Sequence, residues 1–316
     1  MASHELSPGD LSARPGSRIW RQIRKDYQYY LLLLPALAWY LIFAYGPLYG
    51  LQIAFKNYTG ARSIIDSPWV GLRYFKQFIN SYYFGVTIRN TLAISIYSLL
   101  AGMPIPIIVA LMLNEIRQLK YKKFIQTVTY APHFISTVVL VGMITIVLSP
   151  SVGIVNFFIK ALGFEARYFM IEPQSFRHIY VWSGIWQNTG WSSIIYLAAL
   201  AGVSPELHEA AVIDGASRLQ RIRHINIPVI TPTFIILLIL SVGSLMSVGY
   251  EKVLLMQNDL NKTTANIIST YVYERGLLRA EYSFASAVGL FNNIINFLLL
   301  VLVNSVARKF SDTSLF

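Results

Sequence analysis

The chain has 316 residues, of which 55% are hydrophobic and 13% are charged, with no cysteine and a formal net charge of +11. This composition leaves too little polar surface for a soluble globular protein of this size. The absence of cysteine excludes disulfides, thiolate metal sites and cysteine nucleophiles. The positive residues are spread over the tail, the loops and both predicted membrane faces, whereas a nucleic-acid-binding protein would gather them in one patch. We therefore predict an all-α polytopic membrane protein in a lipid bilayer, with no nucleic-acid partner.

Six apolar runs are long enough to cross a bilayer, which takes roughly 20 mostly apolar residues. In chain order they cover residues 30–53, 86–113, 124–148, 179–203, 229–248 and 284–306. The sequence thus predicts a bundle of six transmembrane helices, in which the last five form a unit over residues 86–306.

The tail before the first run, residues 1–28, fixes the predicted orientation. Its basic residues are Arg14, Arg18, Arg21, Arg24 and Lys25. Such a cluster favours the cytoplasmic side, and an even number of helices returns the second tail, residues 307–316, to the same side. The first run is longer than the core of a signal peptide, so we expect a retained helix followed by an extracytoplasmic loop over residues 29–85.

A polar segment separates the fourth run from the fifth, and its residue types predict a short capped helix. Ser204 can accept amide protons at the helix start, and Pro205 suits the first helical position. Gly215 can adopt a positive φ angle and end the helix. A second short helix is predicted to start at Ser217 and to end at Pro228 before the next membrane run.

The same segment has a face suited to docking. Ala210 and Ala211 lack bulky side chains, so another surface can approach the backbone closely, and Glu209 adds one directed charge. The sequence therefore predicts that a partner protein binds this segment, on one side of the membrane.

A family resemblance rests on this segment. The sequence reads EAAVIDGASRLQRIRHINIP. Its spacing resembles the signature loop of permease subunits of binding-protein-dependent ABC importers, with Ile227 in place of the usual leucine. Three further stretches resemble the carbohydrate-importer branch that handles oligosaccharides and polysaccharide fragments, including the alginate-oligosaccharide importer. They are DYQYYLLLLPALAWYLIFAYGPLYGLQIAFKNY, YAPHFISTVVL and YSFASAVGLFNNIINFLLL.

The resemblance implies a type I ABC importer permease fold, in a bacterial cytoplasmic membrane. It implies a coupling loop at about residues 204–228 that contacts an ATPase through Glu209, Ala210, Ala211, Asp214 and Gly215. The implied partners are a second homologous permease, a dimer of ATP-binding-cassette subunits and an extracytoplasmic solute-binding protein. ATP and magnesium would be bound by the ATPase subunits, and this chain would hold no cofactor.

Polar residues inside the runs are candidates for a sugar pathway, because polar groups in a membrane face the bundle or a wet cavity. Hydroxyl and amide groups can replace water around a sugar, and aromatic rings can cover its apolar face. The candidates are Trp182, Trp186, Gln187, Asn188, Asn292, Asn293 and Asn296. The alternative is packing between helices, which uses the same residue types. For the asparagines both readings stay open, and for Ser241, Ser244 and Ser247 packing is expected.

The outer loops carry positive residues that bear on the substrate. They are Lys56, Arg62, Arg73, Lys76, Arg275 and Arg279. Either these are ordinary solvated loop charges, or they favour an acidic docking partner or an acidic substrate such as an alginate-type oligosaccharide.

Other functional classes find little support. No phosphate-binding GxxxxGK[ST] motif occurs, so we expect no ATPase site. His208-Glu209 begins like a zinc-protease motif, but Val212 stands where the second histidine is required, and we predict neither a metal site nor catalytic residues. The alternatives are an intramembrane enzyme such as a glycosyltransferase and an ion-coupled carrier. The enzyme would need carboxylates or a metal-binding group of residues near the membrane, and the carrier would need broken helices and buried carboxylates. No span interior offers a clear acidic pair.

Overall fold

The structure is a computed structural model and describes residues 22–310. Within that range the regular secondary structure is helical, apart from one isolated antiparallel bridge between Lys56 and Trp69, and loops connect the helices. The helices are α1 (Tyr27–Trp39, continued by a π turn at Tyr40–Tyr45 and a 3-10 stretch at Gly46–Phe55), α2 (Arg73–Ile79), α3 (Tyr82–Gly102), α4 (Pro104–Asn114), α5 (Leu119–Tyr130, continued by a 3-10 turn at Ala131–Phe134), α6 (Thr137–Val147), α7 (Ile154–Ala161), α8 (Pro173–Ala201), α9 (Pro205–Ile213), α10 (Arg218–Arg221, continued by a π turn at Ile222–Asn226), α11 (Ile227–Gly243), α12 (Tyr250–Met256), α13 (Lys262–Ala265), α14 (Ile268–Tyr273, continued by a π turn at Glu274–Leu278) and α15 (Tyr282–Phe310).

Four helical segments in the described range are long and apolar enough to cross a membrane. They are Tyr27–Phe55, Tyr82–Asn114, Arg218–Gly243 and Tyr282–Lys309. A fifth span results if α5 and α6, which meet at an angle of 100°, count as one broken helix. Helix α8 has the length of a span, with 29 residues, but less apolar character. The predicted all-α membrane bundle is confirmed, and the count of six remains a prediction compatible with it.

The break between α5 and α6 has a local cause. Pro132 lies in the 3-10 turn that ends α5, and Ile135 and Ser136 then take extended backbone angles. Ser136 caps the new helix, because its hydroxyl accepts a hydrogen bond from the amide of Val139 at 3.4 Å. Two extended residues after a proline-containing turn let the chain change direction sharply, and the Ser136 cap satisfies one of the amides at the start of α6.

The predicted end of the second short helix at Pro228 is wrong. Ser217 does start it, with a capping box that joins Ser217 to Gln220. The helix then runs without interruption through the π turn into α11 and ends at Gly243, short of the predicted Val248. A proline ring collides with the carbonyl four residues earlier in a regular α-helix, and the wider π turn directly before Pro228 relieves that collision.

Helix α8 lies at the centre of the bundle, where it packs against α3, α4, α5, α11 and α13. It comes very near α5 at Gly190, where a Cβ atom would lie 2.1 Å from the carbonyl oxygen of Thr129. Helix α1 is peripheral by contrast. No residue of Tyr27–Tyr45 is buried, and the chain contacts α15 through the following stretch, Gly46–Phe55.

A buried polar network closes the outer end of the bundle, which is the end predicted to be extracytoplasmic. Asn90 on α3 is fully buried, and its amide donates to the carbonyls of Thr263 and Asn266, each at 3.0 Å. Arg177 on α8 donates to the Asn90 carboxamide oxygen at 2.9 Å. These bonds tie α3, α8 and the segment around α13 together.

Candidate functional site

A cavity of about 670 Å³ lies between α3, α4, α8, α11 and α12. Its wall combines apolar side chains with many small polar ones. The polar lining residues are Ser95, Ser98, Tyr180, Gln187, Asn188, Thr189, Ser192, Tyr196, Ser241, Ser244, Ser247 and Lys252. Hydroxyl and carboxamide groups at this density inside a membrane bundle make a site for a hydrophilic solute, because a path for lipid would need none of them.

The structure separates the predicted pathway residues of α8. Gln187 and Asn188 line the cavity, together with Trp191. Trp182 and Trp186 do not, and each is about half exposed on another face of the helix. The indole nitrogen of Trp182 instead donates to the hydroxyl of Tyr97 at 2.8 Å.

The three predicted asparagines of α15 lie outside the cavity wall. Asn296 is buried, and it joins α15 to the turn after α11: its carboxamide accepts from the amide of Met246 at 2.9 Å and donates to the Ser247 hydroxyl at 2.8 Å. Asn292 is buried, and Asn293 is exposed. For Asn296 the contacts are those of helix packing.

The serines at the end of α11 and in the turn after it have the opposite outcome. Packing was expected of Ser241, Ser244 and Ser247, yet all three line the cavity. Ser247 serves both roles, since its hydroxyl also accepts the bond from Asn296. The physical reason is the direction in which these serines face. They lie on the side of α11 and of the following turn that borders the cavity next to α8.

The polar wall formed by α8 is connected to the bend between α5 and α6. Gln187 donates to the carbonyl of Ile135 at 2.8 Å, and the Asn188 oxygen lies 3.1 Å from the His133 ring nitrogen Nδ1. The His133 ring stacks on Trp191 with centroids 4.6 Å apart. The His133 ring is thus paired with protein groups, and it contacts two residues of the cavity wall.

Lys252 was missed by sequence reasoning, because it follows the fifth apolar run and looks like an ordinary loop lysine. Its ammonium donates to the Tyr180 carbonyl at 2.9 Å and lies 4.7 Å from the centre of the Tyr180 ring. Among the described residues that line the cavity, it is the one that carries a charge. Burial lowers the pKa of Lys252 to about 8.

The sequence held a signal for the other missed lining residues. Ser95 and Ser98, and Thr189 and Ser192, are pairs of small polar residues at three-residue spacing within apolar helices. That spacing puts both members of a pair on one face. Such pairs of small polar residues within the apolar runs, and not only asparagine and tryptophan, therefore indicate the residues that line the cavity.

The second candidate site is the surface helix α9 with the turn after it. Ser204 caps the helix, since its hydroxyl accepts from the amide of Glu206 at 3.3 Å, and Pro205 is the first helical residue, as predicted. Gly215 ends the turn with a φ angle of +78°, which also agrees with the prediction. Asp214, the residue after the helix, is exposed and donates its amide to the carbonyl of Ala210 at 3.0 Å.

The outward face of α9 is both charged and apolar. Glu209 and Ala210 are exposed and Ala211 is half-buried. The helix also exposes Val212 and Ile213, the latter with 85% of its side chain accessible. Adjacent exposed aliphatic side chains are typical of a surface that binds another protein. No group of three or more His, Asp or Glu residues in the described range is placed to hold a metal ion.

Comparison with protein families decides the class. The family model described as "Binding-protein-dependent transport system inner membrane component" matches residues 102–312. The chain belongs to this family. It is therefore a membrane-embedded transport component, and the resemblance that started from Glu209 is confirmed, together with the expectation that the chain is not itself an enzyme.

Individual relatives agree over almost the whole chain. Protein LplB of Bacillus subtilis (strain 168) is 42% identical over 306 residues, which is 97% of this chain and 96% of LplB. The polygalacturonan/rhamnogalacturonan transport system permease protein YteP of the same organism is 39% identical over 287 residues, covering 91% and 89% of the two chains.

A solved structure is similar in three dimensions as well. It is the crystal structure of a bacterial ABC transporter involved in the import of the acidic polysaccharide alginate. The matched chain is 41% identical, with a TM-score of 0.87, and the match covers 93% of this chain and all of that one. The bundle described above is thus the fold of an ABC importer's membrane subunit.

Proposed function

We propose that this chain is a permease subunit of an ATP-driven importer that takes oligosaccharides, acidic ones of the alginate or galacturonan kind, from an extracytoplasmic binding protein into the cytoplasm. The observation that carries the proposal is the polar cavity of about 670 Å³ within a bundle of this family. The relatives named for alginate and for polygalacturonan supply the substrate class.

The cavity has the chemistry that such a substrate requires. Its serine hydroxyls and the carboxamides of Gln187 and Asn188 can exchange hydrogen bonds with sugar hydroxyls, and Trp191 offers an aromatic surface for the apolar side of a ring. A cavity of this volume holds only part of a long oligosaccharide, so the oligosaccharide would pass through it in steps.

The surface helix is proposed to transmit force from the ATPase. Glu209, Ala210 and Ala211, with Asp214 and Gly215 at the end of the turn, would contact one ATP-binding-cassette subunit of a dimer, and ATP and Mg²⁺ would be bound there. The exposed face of α9 and its capped, well-defined ends support this role. A rigid helix with fixed ends can pass a displacement on to the neighbouring span.

A second permease is proposed as the partner within the membrane. Residues Tyr27–Tyr45 of α1 bury no side chain against this chain, although they include Trp39, Tyr40 and Phe43, each more than half exposed. Aromatic residues are enriched at protein interfaces, so a homologous subunit would suit this surface. The importer would then have two such chains around one path.

The orientation is proposed to be both termini in the cytoplasm of a bacterium, with the chain in its inner membrane. Helix α9 and the loop containing Arg117 lie at one end of the bundle, and the Asn90 network lies at the other. Placing the α9 end inside puts the ATPase contact where ATP is available.

The test is reconstitution of the assembled importer in liposomes with ATP inside and a loaded binding protein outside. Uptake of an alginate oligosaccharide that requires ATP, and that falls when Gln187 and Asn188 are both replaced by alanine, is the expected result. Thr145→Ala, which lies on α6 outside the cavity wall, is the control. ATP hydrolysis without uptake of any acidic or neutral oligosaccharide would contradict the proposal.

A further inference from the structure

The described lining of the cavity contains one charged group, the ammonium of Lys252. Helix α12 carries it, and the helices packed against α12 are α6, α8 and α14. Helix α6 contains no ionisable residue, and α14 contributes only tyrosines. The ionisable group that faces the ammonium is Tyr180 on α8, and none of the ion pairs within residues 22–310 includes Lys252.

The described residues of the protein give the Lys252 ammonium no anionic partner. Removing a charge from water is costly unless it gains a partner. The carbonyl and the ring of Tyr180 satisfy only part of the ammonium, which has three donor hydrogens. Gly184 lies on another side of the ammonium and has no side chain to crowd it. Even a Cβ atom at this position would lie 3.4 Å from the Lys252 nitrogen.

We propose that Lys252 binds a carboxylate of the transported oligosaccharide inside the cavity, and that this contact lets the permease itself favour acidic sugars over neutral ones. The inference rests on the proposed function and adds a specificity-determining residue to it. Selection by charge would then take place within the membrane subunit as well as in the binding protein.

The geometry also suggests the alternative that Lys252 merely ties α12 to α8 through the Tyr180 carbonyl. The two readings differ in what they require. A tether needs a hydrogen-bond donor and acts equally on every substrate, whereas a substrate contact needs a positive charge and acts only on acidic substrates.

The decisive measurement uses the reconstituted importer and two probes. One is an alginate pentasaccharide, and the other is the same pentasaccharide with its carboxyl groups reduced to alcohols. For Lys252→Gln we expect uptake of the acidic probe to fall about 10-fold or more, as loss of a charge-assisted hydrogen bond implies. Uptake of the reduced probe should change less than about two-fold on the same grounds, since it has no charge to lose.

The matched control is Lys160→Gln. Lys160 also donates to a backbone carbonyl, that of Pro150 at 3.0 Å, but it lies on α7 outside the cavity wall. Uptake of both probes should be unchanged in this variant. The melting temperature of the purified complex, measured for each variant, shows whether a loss of uptake is a loss of folded protein.

The outcomes are distinguishable. Equal losses of both probes, or no loss of either, would overturn the inference and leave the proposed function standing. Uptake of neither probe by the wild type would overturn the proposed function and the inference with it. If the wild type takes up only the acidic probe, Lys252→Arg decides: recovery of uptake with arginine but not with glutamine supports the charge contact, and equal uptake by both variants refutes it.

Discussion

Gly190 and Thr129 bring α8 and α5 together at the level of their backbones. A Cβ atom on Gly190 would lie 2.1 Å from the carbonyl oxygen of Thr129, closer than any real contact allows. Backbone atoms on both sides leave no flexible side chain to move aside, so the two helices would have to separate to accommodate even a methyl group.

Gly190→Ala is therefore expected to destabilise the bundle. Overpacking of this kind costs about 1–3 kcal/mol, and it should appear as a lower melting temperature of the purified permease. Gly289→Ala on α15 is the matched control, because no atom lies within 4 Å of the Cβ position there. Equal melting temperatures for the two variants would show that the close approach is not a constraint.

Asn296→Ala tests whether this asparagine packs helices or lines the path. The structure gives its carboxamide two bonds, to the Met246 amide and the Ser247 hydroxyl, so we expect a loss of roughly 0.6 kcal/mol for each. Uptake per folded complex should be unchanged. The exposed Asn293→Ala is the control for stability. A loss of uptake without a loss of stability would return Asn296 to the pathway.

Two substitutions in the surface helix should uncouple ATP hydrolysis from uptake. Glu209→Lys reverses an exposed charge on the proposed ATPase contact, and Gly215→Pro forces φ to about −65° where the chain has +78°. Both variants should insert and fold normally, yet show ATPase activity without matching uptake. Glu165→Lys, an exposed reversal in the loop before α8, should behave as wild type. Normal coupling in both variants would remove α9 from the mechanism.

The orientation can be measured directly because the chain has no native cysteine. Single cysteines at Ser217 and Arg117 should react with an impermeant thiol reagent only after the membrane is permeabilised, while one at Lys262 should react from outside. All three positions are exposed, so burial does not limit the reaction. Labelling of Ser217 from outside would reverse the proposed orientation.

Uptake of an acidic probe should depend on pH through Lys252. Burial lowers the pKa of this lysine to about 8, so its ammonium is charged below that pH and increasingly neutral above it. Uptake of the alginate pentasaccharide should therefore fall as the pH rises through about 8, while uptake of the carboxyl-reduced probe should not. In Lys252→Arg the fall should disappear, because a guanidinium stays charged throughout. A fall of the same size in that variant would assign the pH dependence to another group.

The sequence predicted those features that depend on local residue types. The capped start of α9 and the left-handed residue Gly215 follow from a few neighbouring side chains, and the apolar runs follow from composition alone. The end of the second short helix could not be predicted in this way, because Pro228 can stop a helix or follow a π turn, and the π turn at Ile222–Asn226 has no local residue signal.

The cavity lining was predictable only in part for a related reason. Asn296 and Ser241 are both polar residues within apolar helices, and nothing in their own surroundings in the sequence says which one meets a cavity. The difference arises where α11 and α15 pack together, so that one polar face is used up in the contact and the other is left open toward α8.

Helix α8 has a mechanical consequence for the whole molecule. It reaches from Arg177 at the outer network, past Gln187 in the cavity wall, to the residues just before Ser204, and its 29 residues extend over about 43 Å. A rigid rod of that length converts a tilt of about 5° into a shift of about 4 Å at its far end, the scale of motion typical of such transitions. That shift exceeds the reach of the 2.9 Å bond between Arg177 and Asn90. If α9 is the ATPase contact, as proposed, a displacement there that tilts α8 by this amount would break the bond between Arg177 and Asn90 at the far end of the bundle.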